Sequence, residues 1–109
     1  MKTIILIPIY NDRESLTKLI ENINSEIEGI NSEISVVVIN DASSQQIIDE
    51  YQNTENINSI KIINMKENRG HARCIASGLK YIFEKKEFDY VIPMDGDGED
   101  RPEEIKNFI

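Results

Sequence analysis

Ile34-Ser35-Val36-Val37-Val38-Ile39-Asn40-Asp41 is an almost unbroken β-branched run that stops on two polar residues. β-Branched side chains favour extended backbone, and a strand without polar alternation is buried on both faces. Such strands belong to parallel sheets with helices above and below. Ligands of these sheets sit beyond the carboxyl ends of the strands, which is where Asn40 and Asp41 fall.

Working outward, Lys2 to Ile9 reads as a second run of this kind, ending at Tyr10-Asn11-Asp12. Asn11 and Asp12 can cap a helix in which Leu16, Leu19, Ile20, Ile23, Ile27 and Ile30 recur at helical spacing. Downstream, Ser43 and Ser44 can cap a short helix to about Tyr51. A polar loop follows, then a short strand from Ile60 to Asn64. Asn68-Arg69-Gly70 leads into a helix bearing Ala72, Ile75, Ala76, Leu79, Ile82 and Phe83. Asp89 to Met94 is the fourth strand, and Pro102 suits the first turn of a last helix. The expected fold class is α/β: a Rossmann-like parallel sheet with helices on both faces.

The 109 residues make one domain at most, with no internal repeat or linker. A hydrophobic fraction of 39% with no Trp leaves Ile, Val and Leu to build the core. The net charge of −8 argues against nucleic acid or an anionic membrane as partner. It also repels a phosphate-bearing ligand unless a cation offsets the field. The single Cys74 excludes an internal disulfide and points to a reducing compartment. The apolar run Ile4 to Ile9 is too short for a signal peptide or a membrane span of ~20 residues. A cytoplasmic location is expected, with membrane association of a longer protein left open.

The fourth strand runs into Asp95-Gly96-Asp97-Gly98-Glu99-Asp100. Residues two apart on extended backbone point the same way, so Asp95 and Asp97 can face one cation. Hard oxygen ligands favour Mg²⁺, Mn²⁺ or Ca²⁺. An acidic turn after a strand is the alternative for these residues alone. A calcium loop of the EF-hand type fails on spacing, because its glycine and glutamate positions fall on Asp100 and Lys106. The Asp-x-Asp-Gly order is also that of haloacid-dehalogenase-like phosphatases, with the first Asp as nucleophile. There the motif follows the first strand, whereas here it follows the fourth. Asp41 can accept a hydrogen bond from a base or ribose, or can cap a helix at Ser43. Tyr10 can stack on a nucleobase or pack at the strand end. Asn68, Arg69, His71 and Arg73 crowd one helix start, a place that attracts phosphate; pairing of the arginines with Asp41 or with surface glutamates is the alternative. Cys74 reads as inert core.

Taken together, these motifs resemble the family 2 glycosyltransferases, inverting enzymes with a GT-A fold. Ile7-Pro8-Ile9-Tyr10-Asn11-Asp12 resembles the Pro-x-Tyr-Asn motif, and Val37 to Ser44 resembles Val-Asp-Asp-Gly-Ser. Asn68 to Arg73 with Gly78 is similar to the Asn-x-Gly helix start. Asp95 to Glu103 is similar to the Asp-x-Asp segment of the branch that includes polyprenyl-phosphate sugar transferases. Asn40 and Ala42 depart from the second motif, leaving Asp41 as its sole carboxylate. Asp12 stands where many members have Glu.

The resemblance implies a partial GT-A fold over residues 1–109, the donor side of a hexosyltransferase-type enzyme that uses a UDP- or GDP-linked sugar. It implies nucleotide contacts from Pro8, Tyr10, Asp12, Asp41, Arg69, Arg73 and Asp95, with Asp97 and Asp95 toward Mg²⁺ or Mn²⁺. The acceptor is unknown and the general base is expected beyond residue 109, so the 109 residues alone are expected to be inactive. A non-catalytic module, self-associating through an exposed sheet edge, is the alternative from another class.

Overall fold

The computed structural model describes residues 2–44, 51 and 54–94. Its elements are β1 (Lys2–Ile9), α1 (Arg13–Glu26), β2 (Glu33–Asn40), β3 (Ser59–Asn64), α2 (His71–Lys85) and β4 (Tyr90–Pro93). The four strands form one sheet in the order β3-β2-β1-β4, and every neighbouring pair is parallel. The expected α/β class is the class found.

Alternation along the central strands divides the core in two. Ile5, Ile7 and Ile9 of β1, with Val36 and Val38 of β2, pack beneath Leu16, Leu19, Ile20 and Ile23 of α1. Ile4 and Leu6 of β1, with Val37 and Ile39 of β2, meet Cys74 and Ile82 of α2 on the other face. Each fully buried aliphatic side chain contributes roughly 1.5–3 kcal/mol relative to exposure, so neither face can be uncovered cheaply. This double burial is why β1 and β2 show no polar alternation.

Helix α1 stops at Glu26, short of the apolar pattern that continues to Ile30. The chain turns through Gly29 at φ +81°, a left-handed conformation suited to glycine. Ile27 stays buried just past the helix, and Ile30 packs against the same core from the turn. In α2 the buried line is Cys74, Gly78 and Ile82, while Ala72, Ala76 and Phe83 are exposed. The expected apolar face is thus rotated. Phe83 instead meets the ring of Phe88 edge-on, centroids 5.2 Å apart, at the surface. The helix expected from Ser43 to Tyr51 and the one expected at Pro102 lie largely or wholly outside the described residues.

Candidate functional site at the carboxyl edge of the sheet

All strands run the same way, so their carboxyl ends share one edge. The register pairs Ile9 with Asn40, and Asn40 with Asn64. Asp41 N–H donates to the Ile9 carbonyl at 2.9 Å, and Met65 N–H donates to the Asn40 carbonyl at 2.8 Å. Met94 N–H donates to the Leu6 carbonyl at 2.8 Å, delivering the end of β4 to the same side.

Side chains then lace these ends together. Asn40 Nδ2 donates to Asn64 Oδ1 at 2.9 Å, and Asn40 Oδ1 accepts from Ser43 N–H at 3.1 Å. Ser43 Oγ accepts from Asn11 N–H at 2.9 Å, and Asn11 Oδ1 accepts from Ser44 N–H at 2.7 Å. Asn11 and Ala42 both have positive φ, +50° and +57°. Asparagine visits that region readily, whereas alanine rarely does. Residue 42 therefore holds a conformation that favours glycine, which is the residue of the motif that it resembles here. Backbone in a disfavoured region persists only where its surroundings fix it, and the Asn11–Ser43–Ser44 bonds surround Ala42.

Tyr10, one residue past β1, is 53% exposed beside these braced loops. Pro8 is buried in β1, in register with Ile39 of β2. Asp12 is the N-cap of α1, accepting from Ser15 N–H at 3.4 Å. Asp41 is only 4% exposed. Its Oδ1 accepts from Arg69 N–H at 2.7 Å and its Oδ2 from Gly70 N–H at 2.9 Å. The Arg69 guanidinium is half-exposed and pairs with Glu67 at 2.8 Å. Arg73 is exposed in the first turn of α2. Asp95 and Asp97 lie outside the described residues.

The family model for glycosyl transferase family 2 matches residues 4–109. The chain belongs to glycosyl transferase family 2. Over 111 residues it is 31% identical to the undecaprenyl-phosphate 4-deoxy-4-formamido-L-arabinose transferase of Proteus mirabilis, covering 99% of this chain and 32% of that protein. Over 109 residues it is 25% identical to the uncharacterized protein MJ0544 of Methanocaldococcus jannaschii, covering 97% of this chain and 44% of the relative. The crystal structure of S. aureus TarS superposes with a TM-score of 0.64 at 28% identity, covering 89% of this chain and 17% of that one. The chain thus spans less than half the length of these relatives.

Within this family 2 glycosyltransferase domain, the edge brings together Tyr10, Asp12, Asp41 and Arg69. Among the described residues, no group of three or more His, Cys, Asp or Glu could hold a metal. A recess of about 270 Å³ lies at the opposite, amino end of the strands, among Lys2, Glu33, Lys61, Lys85, Lys86 and Glu87. It is remote from the braced edge and plays no part in it. Sequence reasoning missed the bracing roles of Asn64, Ser43 and Ser44. For Asn64 a signal exists in the sequence: like β2, β3 ends on asparagine, and the two face each other in register. No helix among the described residues is long and apolar enough to cross a membrane.

Proposed function

We propose that this chain forms the donor-nucleotide side of an inverting, metal-assisted glycosyltransferase that uses a UDP- or GDP-linked sugar. The observation that carries the reading is the convergence of the ends of β1, β2 and β3 on one edge, with β4 parallel to them, and an exposed tyrosine beside loops locked by side-chain hydrogen bonds. A rigid edge with one available ring suits a planar base, since stacking needs a face held in place.

In this reading Tyr10 stacks on the nucleobase and Pro8 stiffens the strand beneath it. Asp12 faces the ribose side from the start of α1. Arg69 and Arg73 lie toward the phosphates, and Asp95 and Asp97 complete the nucleotide and metal side. That β4 is parallel to β1, with Met94 bonded to Leu6, supports that reading. The donor set fits Mg²⁺ or Mn²⁺ in kind: few carboxylates with phosphate oxygens as co-ligands. Such an ion would stabilise charge on the departing nucleoside diphosphate. The undecaprenyl phosphate in the name of the Proteus mirabilis relative makes a polyprenyl phosphate the first acceptor to try. Association of the remainder of such a protein with the membrane would be consistent with that acceptor. Self-association through the outer edges of β3 and β4 remains a separate expectation, read by sedimentation velocity. The family assignment favours transfer over the phosphatase-like alternative.

Thermal unfolding with UDP or GDP tests the reading. Nucleotide with Mn²⁺ or Mg²⁺ should raise the melting temperature more than nucleotide with EDTA, and Asp97→Asn should remove the difference. Equal shifts with and without metal in the wild type would remove the metal from the proposal.

A further inference from the structure

We infer that Asn64 is a positioning residue for the proposed nucleotide site: through a hydrogen-bond relay over Asn40 and Ser43, it fixes the loop that presents the Tyr10 ring. This rests on the donor-side reading above. Three observations carry it.

The first is that the relay crosses three strand ends without a break. Asn11 N–H donates to Ser43 Oγ at 2.9 Å, Ser43 N–H donates to Asn40 Oδ1 at 3.1 Å, and Asn40 Nδ2 donates to Asn64 Oδ1 at 2.9 Å. The bonds run head to tail from β1 to β3, an order in which hydrogen bonds strengthen one another. The second is that the relay has one direction. Ser43 N–H can only donate, so Asn40 turns Oδ1 toward it and Nδ2 away. That Nδ2 needs an acceptor, because Asn40 is 7% exposed and a buried donor without a partner is costly. Asn64 supplies it from the register position opposite.

The third is what the relay holds. Its β1 end is the amide that joins Tyr10 to Asn11, and Asn11 Oδ1 is tied again to Ser44, to the N–H at 2.7 Å and the Oγ at 3.1 Å. Asn11 and Ala42 have φ of +50° and +57°, so both loops that meet there hold left-handed backbone. The bond from Ser43 to Asn40 spans Ala42, and an alanine stays in that region only while its surroundings hold it. Without Asn64 the Asn40 amide loses the partner that completes its direction, Ala42 is released, and Ser43 withdraws from Asn11. The half-exposed Tyr10 ring then loses its place. The base side of the nucleotide should feel this, and the phosphate side should not.

Calorimetric titration in millimolar Mn²⁺, well below the melting temperature, compares wild type, Asn64→Ala, Tyr10→Ala and the double variant. The probes are UDP and GDP, the tighter being carried forward, and pyrophosphate, which has no base. Loss of one hydrogen bond predicts about fivefold weaker nucleotide binding in Asn64→Ala. Pyrophosphate affinity should not change. In the Tyr10→Ala background the Asn64 substitution should have no further effect, because the ring to be positioned is gone. A full Asn64 effect in that background would mean that Asn64 touches the nucleotide itself, and would overturn the relay. Equal weakening of pyrophosphate would make the loss a general one and would overturn it as well. So would nucleotide binding that is unchanged in Asn64→Ala or in Tyr10→Ala. Should Asn64→Ala fail to fold, Ser43→Ala cuts the relay at its other end and should give the same pattern. A wild type that binds neither nucleotide refutes the donor-side reading, and positioning for that site falls with it. A wild type that binds while the two substitutions add refutes the relay alone.

Discussion

A thiol packed against a carboxylate resists ionisation. Cys74 is fully buried, one turn into α2. Burial, then the hydrogen bond and negative charge of Asp41, push its thiol from 9.0 up to about 12. The folded protein therefore holds this proton at pH values where the unfolded chain releases it. Stability from this group is fully present below pH 9 and is lost as pH rises from there toward the folded value. Comparing urea unfolding of wild type and Cys74→Ala cancels the other titrating lysines and tyrosines. The wild-type advantage should shrink by about 1.4 kcal/mol between roughly pH 8 and 10. Parallel pH profiles for the two proteins would show that Cys74 is not held protonated. The sequence marked Cys74 as inert core, because it sits among apolar residues at helical spacing. It could not show the carboxylate beside it. That neighbour comes from the end of β2, and only the packing of α2 on the sheet brings the two together. The inward turn of Asp41 was hidden for the same reason, since its acceptor role depends on amides far along the chain.

At the scale of elements, α2 rests on the sheet through a glycine. A Cβ at Gly78 would lie 2.5 Å from Leu6 Cδ1 and 3.0 Å from Ile39 Cγ1, both in the closely packed core on that face. Alanine is favoured over glycine by about 1 kcal/mol in a helix interior, but overpacking a core costs roughly 1–3 kcal/mol. The clash should outweigh the propensity, because Leu6 and Ile39 sit on the central strands and are enclosed. Gly78→Ala should lose up to about 2 kcal/mol in urea unfolding, whereas a gain would show that α2 can lift off the sheet without penalty. This contact also explains a misreading. Hydrophobic periodicity gives weight to Ala72, Ala76 and Phe83 and none to glycine, so the face that touches the sheet was placed to one side of Cys74, Gly78 and Ile82. The strands were legible because β1 and β2 are buried on both faces and must be apolar throughout. The carboxyl edge was legible too, since each run ends on polar residues that could not continue the core. What was missing was the side-chain lacing between those ends, which joins residues far apart in sequence through Asn11, Asn40 and Asn64.

For the molecule as a whole, charge sets a condition on the proposed function. The chain carries −8, so at long range it repels a nucleoside diphosphate. Locally, Arg69 is offset by its pairing with Glu67, which leaves less positive charge to oppose that field. A divalent ion reverses the sign of the problem, because an acidic protein attracts the cation that the diphosphate also binds. The two regimes respond oppositely to salt. The screening length shortens from about 30 Å at 0.01 M to about 8 Å at 0.15 M. In EDTA, UDP binding should strengthen across that range as repulsion is screened. With Mn²⁺ it should weaken, because the attraction that recruits the ion is screened as well. Equilibrium dialysis at both salt concentrations reads the two slopes. Binding in EDTA that weakens with salt would mean that Arg69, His71 and Arg73 already attract the diphosphate strongly enough to outweigh the net charge, and that the metal is not needed to bring the nucleotide to the edge.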